Sequence, residues 1–197
     1  MALPYARTYD EAYLYMSLRP CVCGDTEFDD RTATPVAVGG ELAERFDGHC
    51  ANCARFRTFT FRMSDKPHDI SFDIRYGIGD EPSRLLDPGE WLGVSELYDL
   101  AASERLATGE LNEDDEVTRL YYLLTSALAA AEEIMKFLPP GEDTVPESAF
   151  WTQPGRLVFE AVPERFTRAS LANDTATLRQ KVADFESAHP DDTPSPS

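Results

Sequence analysis

The sequence is short of basic residues. Its 197 residues hold 18 Lys and Arg against 36 Asp and Glu, a net charge of −18 with a pI near 4.4. Phosphate backbones and anionic lipids are gripped by clustered Lys and Arg, so this balance argues against an autonomous nucleic-acid binder and against a protein held on membranes by basic residues. Long apolar runs are missing as well. The longest, Leu120 to Ala131, is about a dozen residues and carries Thr125 and Ser126, whereas a membrane span needs ~20. The opening Met1-Ala-Leu-Pro-Tyr-Ala-Arg-Thr lacks the basic stretch and apolar run of a signal peptide. The expectation is a cytoplasmic protein. Histidine is scarce, and HExxH, P-loop, GxSxG and dinucleotide-binding patterns are absent. The isolated His68 and His189 read as solvated side chains rather than as acid–base groups.

Apolar residues make up 42% of the chain and aromatics 11%, enough for a real core and too much for an acidic disordered tail. All four cysteines lie between positions 21 and 53, as Cys21-Val-Cys23-Gly24 and Cys50-Ala-Asn-Cys53. In a reducing compartment such close pairs favour metal over disulfide. Each pair sits on a tight turn and offers two sulfurs to one ion, and the intervening residues bring the turns together. The chemistry is that of a closed tetrahedral Zn²⁺ site with Cys21, Cys23, Cys50 and Cys53 as thiolate ligands. Gly24 and Gly48 are available for the positive φ that such turns use. His49, beside Cys50, stands as a neighbour of the site or an alternate ligand.

Pro20-Cys-Val-Cys-Gly24 together with His49-Cys-Ala-Asn-Cys53 resembles a zinc ribbon over residues 20–63. The first knuckle is CxC, one residue shorter than the common CxxC form. The resemblance implies a structural zinc and implies no reaction; the remainder of the chain resembles no particular family.

Thr8-Tyr-Asp-Glu11 is a capping box that opens a helix to about Leu18, stopped by Pro20. Ala33 to Val38 and Glu41 to Asp47 flank Gly39-Gly40, a hairpin signal. Arg55 to Met63 and Ile70 to Tyr76 alternate as strands, giving a small antiparallel sheet with one apolar face. Asp87-Pro-Gly-Glu90 starts a helix in which Gly93 is a weak point. Asn112 opens the longest helix, whose apolar positions from Leu120 to Leu138 follow the helical period. Leu157 to Val162 fits a strand or a short helix, and Asn173 or Asp174 caps a last helix. The expected architecture is α+β: one domain over residues 1–188, with a metal-bearing ribbon at 20–63 and a mostly helical 87–188, followed by a disordered tail at 189–197.

Three functional readings follow. The first is a non-catalytic zinc-binding interaction protein, with an immunity or antitoxin protein or an adaptor as its specific forms, because an acidic surface suits a basic partner. The second is an enzyme assembled from dispersed residues such as His68, Asp73, Arg75 and the Trp151 loop. The third is a nucleic-acid-associated regulator acting through Arg45, Arg55, Arg57 and Arg62, since residues 41–63 carry a net +1. The carboxylates Glu113 to Glu116 read either as a helix N-terminal charge run or as a Mg²⁺ or Ca²⁺ site. Glu132 and Glu133 read as solvated. The charge is uneven: residues 96–147 hold 13 acids against 3 bases, a net −10, so a basic partner belongs on the helical side.

Overall fold

The computed structural model describes residues 3–64, 74–108 and 114–190. Four strands and five α-helices confirm the α+β class, with the sheet N-terminal and most helices C-terminal. The chain divides into two compact units, one from residues before Leu86 and one mainly from Leu86 onward.

In the first unit the order is β1 (Tyr5–Ala6), α1 (Tyr9–Ser17), β2 (Phe28–Val38), β3 (Glu41–Cys50) and β4 (Phe56–Met63). Thr8 caps α1 as its sequence predicts, its Oγ1 accepting the Glu11 N–H at 3.0 Å. The other half of the box differs. The Glu11 carboxylate accepts from the Arg7 N–H at 2.7 Å and from the Arg7 guanidinium at 3.0 and 2.7 Å. Both side chains are buried, so each supplies the partner the other requires; removing one alone would strand a buried charge at a cost of about 3–5 kcal/mol. Gly77 lies against this pair, where any Cβ would collide with the guanidinium.

The sheet order is β1-β4-β3-β2. β2, β3 and β4 are antiparallel, but β1 runs parallel to β4, so the sheet is mixed rather than purely antiparallel. Two residues of β1 carry too little pattern to be read as a strand. Residues 65–73 lie outside the described residues, and with them most of the strand expected over 70–76; residues 74–76 are not strand. The hairpin turns at Gly39 and Gly40, both at positive φ. Its ladder slips by one residue between Asp29 and Thr32, where Asp30 adopts φ 51°. This bulge reconciles eleven residues of β2 with ten of β3, so that Phe28 pairs with Cys50 instead of Ala51. α1 packs aromatic rings on the sheet: Tyr9 and Tyr13 meet Phe46 edge-on, and Tyr15 meets Phe61 at 5.6 Å.

The second unit contains α2 (Pro88–Thr108), α3 (Asp114–Met135), α4 (Gln153–Ala161) and α5 (Arg168–Ala188), with short 3-10 turns at Glu147–Ala149 and Pro163–Phe166. α2 runs unbroken through Gly93. Residues 157–161 resolve as helix, because Thr152 caps α4 and Pro154 stands in its first turn. The last helix starts earlier than its sequence predicts: Thr167, not Asn173 or Asp174, is the cap, its Oγ1 accepting from the Ser170 N–H. His189 ends that helix and stacks on Phe185 at 4.3 Å instead of standing in solvent. Residues 191–197 lie outside the described residues.

α3 packs against both α2 and α5. Val117, Leu120 and Leu124 meet Ala102, Val182 and Phe185 in one cluster, and Ala127 and Ala131 meet Leu178 in the next. At the other end a buried carboxylate fastens two helix starts. Asp87 Oδ1 accepts the Gly89 and Glu90 N–H groups of α2, and Oδ2 accepts the Thr152 N–H and hydroxyl at the start of α4. Gly155 makes this possible, since a Cβ there would strike the carboxylate. Leu124 is 2% exposed at the centre of the unit. Leu124→Ala is expected to cost about 2–5 kcal/mol in equilibrium denaturation; a loss below ~1 kcal/mol would mean that this core collapses around the gap.

Candidate metal centre

The two cysteine pairs flank the hairpin. Cys21 and Cys23 precede β2, while Cys50 is the last residue of β3, so antiparallel pairing brings both turns to one end of the sheet. In the first knuckle the Gly24 N–H donates to Cys21 O and the Cys21 N–H to Asp25 O, each at 2.8 Å, and Gly24 takes φ 91°. In the second, the Ala54 N–H donates to Cys50 O at 2.8 Å and the Cys50 N–H to Arg55 O at 3.0 Å.

Here the expectation for Gly48 fails. The positive φ falls on Ala54, at 54°, and Gly48 is needed for space: a Cβ there would meet the Phe28 ring and Asp29 O. Holding an alanine in the left-handed region costs on the order of 1–3 kcal/mol, which the turn's hydrogen bonds and any bound ion must outweigh.

All four Sγ atoms lie within 4.8 Å of one another, with Cys21–Cys53 and Cys23–Cys50 both at 3.5 Å. All four are free thiols. A tetrahedron with Zn–S bonds of ~2.3 Å has sulfurs roughly 3.8 Å apart. The cluster is thus of the size that a four-thiolate ion requires, and these residues could hold a metal. Cys21 and Cys50 are buried; Cys23 and Cys53 face outward. The shortened CxC spacing does not prevent convergence.

Asp25 joins the two turns, a role its sequence position did not advertise. Its Oδ2 accepts from the Asn52 N–H at 3.1 Å and from the Cys50 thiol at 3.3 Å. The Glu27 N–H, helped by these two donors against a burial penalty, holds its carboxyl below the usual range. Such outer partners orient ligands and tune the ion.

The thiols are unequal. The Asp25 N–H and then the Cys50 thiol lower Cys23 to about 7. The Cys23 N–H lowers Cys21. Cys50 accepts from the Cys53 N–H, which pulls downward, but burial and its hydrogen bond to Cys23 prevail and push it up to about 12. Cys53 accepts from the Arg55 N–H, which pulls downward, yet the neighbouring Cys23 and Cys21 thiols raise it overall. The thiols of the first knuckle therefore lose their protons more readily than those of the second.

Arg57, assigned by sequence to a basic patch, is 8% exposed. Its guanidinium donates to Thr26 O and Glu27 O beyond the first knuckle, and to Met16 O and Arg19 O at the end of α1. The ring faces of Phe28 and Phe59 lie about it at 5.1 and 5.4 Å. A cation is favourable where helix carbonyls end. Strand parity was the overlooked signal, since Arg57 shares the face of Phe59 and Phe61. Arg45 pairs with Asp47, while Arg62 pairs with Glu41 and lies over Tyr5.

His49 is exposed, packs against Phe56 at 5.5 Å and is outside the sulfur cluster. Glu116, from the acidic run, is engaged by Arg105 and Arg119. Glu133 is buried and pairs with Lys136 at 2.6 Å, while its neighbour Glu132 is exposed and pairs with Arg179 at 2.7 Å. His68 and Asp73 lie outside the described residues; the Arg75 N–H donates to Asp10, and Trp151 packs on Phe137. Among the described residues no helix is long and apolar enough to cross a membrane.

Comparison with known proteins adds no relative: no family model, curated protein or solved structure matches this chain.

Protein purified without added metal is expected to carry one ion per chain by elemental analysis, and Cys50→Ser to lose it and melt at a lower temperature; a metal-free wild type of undiminished stability would refute the site. In chelated protein Cys23 should be alkylated first, at half its limiting rate near pH 7, because its thiolate forms there while Cys50 remains protonated. Rates rising only above pH 8.5 would contradict this order, and added metal should suppress the reaction.

Proposed function

We propose that this chain is a non-catalytic zinc-binding interaction protein, in which the ion fastens the N-terminal knuckles and the acidic helical region meets a basic protein. Convergence of four thiols within 4.8 Å carries the reading. Four thiolates occupy every position of a tetrahedral zinc, and a catalytic zinc needs one left open for water or substrate. Thiolate donors also favour zinc over the hard cations that carboxylates select.

The partner is inferred from charge. The net −10 of residues 96–147 favours a basic surface and repels phosphate. Inhibition of a basic nuclease toxin, as an immunity protein or antitoxin, is the specific form that this chemistry best suits. Burial of Arg57 and the ion pairs of Arg45 and Arg62 weigh against the nucleic-acid alternative, since they engage three of the four cations it would use and leave Arg55 exposed.

The test is co-expression of the chain with the products of the genes adjoining its own. The expected result is a stoichiometric complex with a protein of pI above ~8 that forms at ~50 mM salt and weakens at ~500 mM, together with zinc as the metal recovered. No complex with any basic product at low salt would overturn the partner, and a tightly bound metal other than zinc would overturn the cofactor.

A further inference from the structure

A cleft and an exposed ridge lie side by side on α2 within the second unit. The cleft, about 260 Å³, opens between α2 and α5. Its floor is apolar, with Leu92, Ile134, Leu171 and Leu178 among its lining residues. Its rim is charged. Arg165 sits between Glu96 and Asp174, at 2.8 and 3.2 Å, and Lys181 pairs with Asp99 at 2.5 Å. Three carboxylates thus face two cations, leaving one negative charge over.

The ridge is the neighbouring face of the same helix. Gly93, Leu97, Leu100 and Glu104 recur at i, i+4, i+7 and i+11 and are all exposed, with Leu97 at 60% and Leu100 at 57%. One turn before Gly93 this face is already used: Gly89 packs so closely on Gly155 of α4 that it could not carry a side chain. Among the described residues the face beyond Gly89 is open, and a Cβ on Gly93 would meet nothing within 4 Å. Glu96 stands between ridge and cleft. Two large leucines on one helix face, rimmed by carboxylates, are an apolar centre with a polar border, the usual anatomy of a contact surface.

We propose that this ridge and cleft dock a basic amphipathic segment of another protein: apolar side chains cover Leu97 and Leu100, and an Arg or Lys side chain enters the cleft. The cleft suits that side chain along its whole length. Its apolar floor takes the methylene stem, and the net negative charge of its rim attracts the cationic head. A second copy of this chain is the poorer occupant, since each copy carries −18 and would set acid against acid at Glu96 and Glu104. The proposal rests on the basic-partner reading and adds to it a place.

The probe is a synthetic amphipathic helical peptide of Leu and Arg, titrated into full-length, metal-loaded protein at ~50 mM salt and followed by amide NMR shifts, with a Leu and Glu peptide as control. Both leucines are exposed, so the doubly substituted Leu97→Asp, Leu100→Asp protein should fold, which its unchanged spectrum elsewhere will show. The expected result is that the Arg peptide perturbs residues 92–104 and 165–181, that the double variant weakens it at least tenfold, that Asp99→Asn with Asp174→Asn does likewise, and that the Glu peptide does not bind. Equal binding by wild type and double variant, with shifts spread over α3, would overturn the surface while leaving a basic partner standing. Failure of the Arg peptide to bind at all would overturn both. Concentration-dependent dimers abolished by Leu97→Asp would assign the ridge to a second copy and also overturn the proposal.

Discussion

The N-terminal unit is organised by one requirement: four sulfurs from two separated turns must reach a common point. The β2–β3 hairpin meets it, because antiparallel strands return the chain to where it began. The requirement is strict, since a one-residue slip in a strand sends every side chain to the opposite face. The Asp30 bulge supplies the single-residue correction that places Cys50 opposite Phe28. Gly48 leaves room for the Phe28 ring, Ala54 accepts an unfavourable backbone conformation, and Asp25 ties one turn to the other. None of these features is needed for a hairpin as such. Each lies at the end of the hairpin where the thiols converge.

Charge buried in this molecule works mainly by satisfying backbone. Arg57 receives four carbonyls from α1 and the segment after the first knuckle, Glu11 receives the Arg7 amide and guanidinium, and Asp87 receives the starts of two helices. In each case an ionised group faces polar groups that would otherwise be left without partners at several points, where one unmet buried donor or acceptor costs ~1–3 kcal/mol. The chain's large acidic excess is therefore not uniform in kind. Some carboxylates are internal fasteners, and others, such as Glu96 and Glu104 of α2, are exposed.

What the sequence disclosed followed from strong periodicity and paired chemistry. The Cys pairs, the Thr8 cap, the Gly39-Gly40 turn and the apolar period of α3 all lie where their residues indicate, because each is set by local geometry. What it concealed depended on partners distant in the chain. Arg57 looked like surface charge because its carbonyls come from residues 16–27. Glu133 looked solvated because burial on a crowded helix is decided by neighbours. The start of α5 was misplaced because Thr167, Asn173 and Asp174 are all competent caps, and only the packing of residues 168–172 separates them. Ala54 gave no signal, since nothing about an alanine announces a left-handed backbone.

The hairpin bears on what an ion held by the four thiols would contribute. A cross-link between distant points in a chain gains much of its effect by restricting the unfolded ensemble, and more so for a longer loop. Here the ladder from Val38–Glu41 to Phe28–Cys50 already spans nearly the whole interval between the cysteine pairs. While it holds, only the few residues of each knuckle remain to be ordered by the metal. Exchange of an ion bound there would then proceed with the strands still paired, and its release rate would report the opening of two short turns rather than the unfolding of a domain.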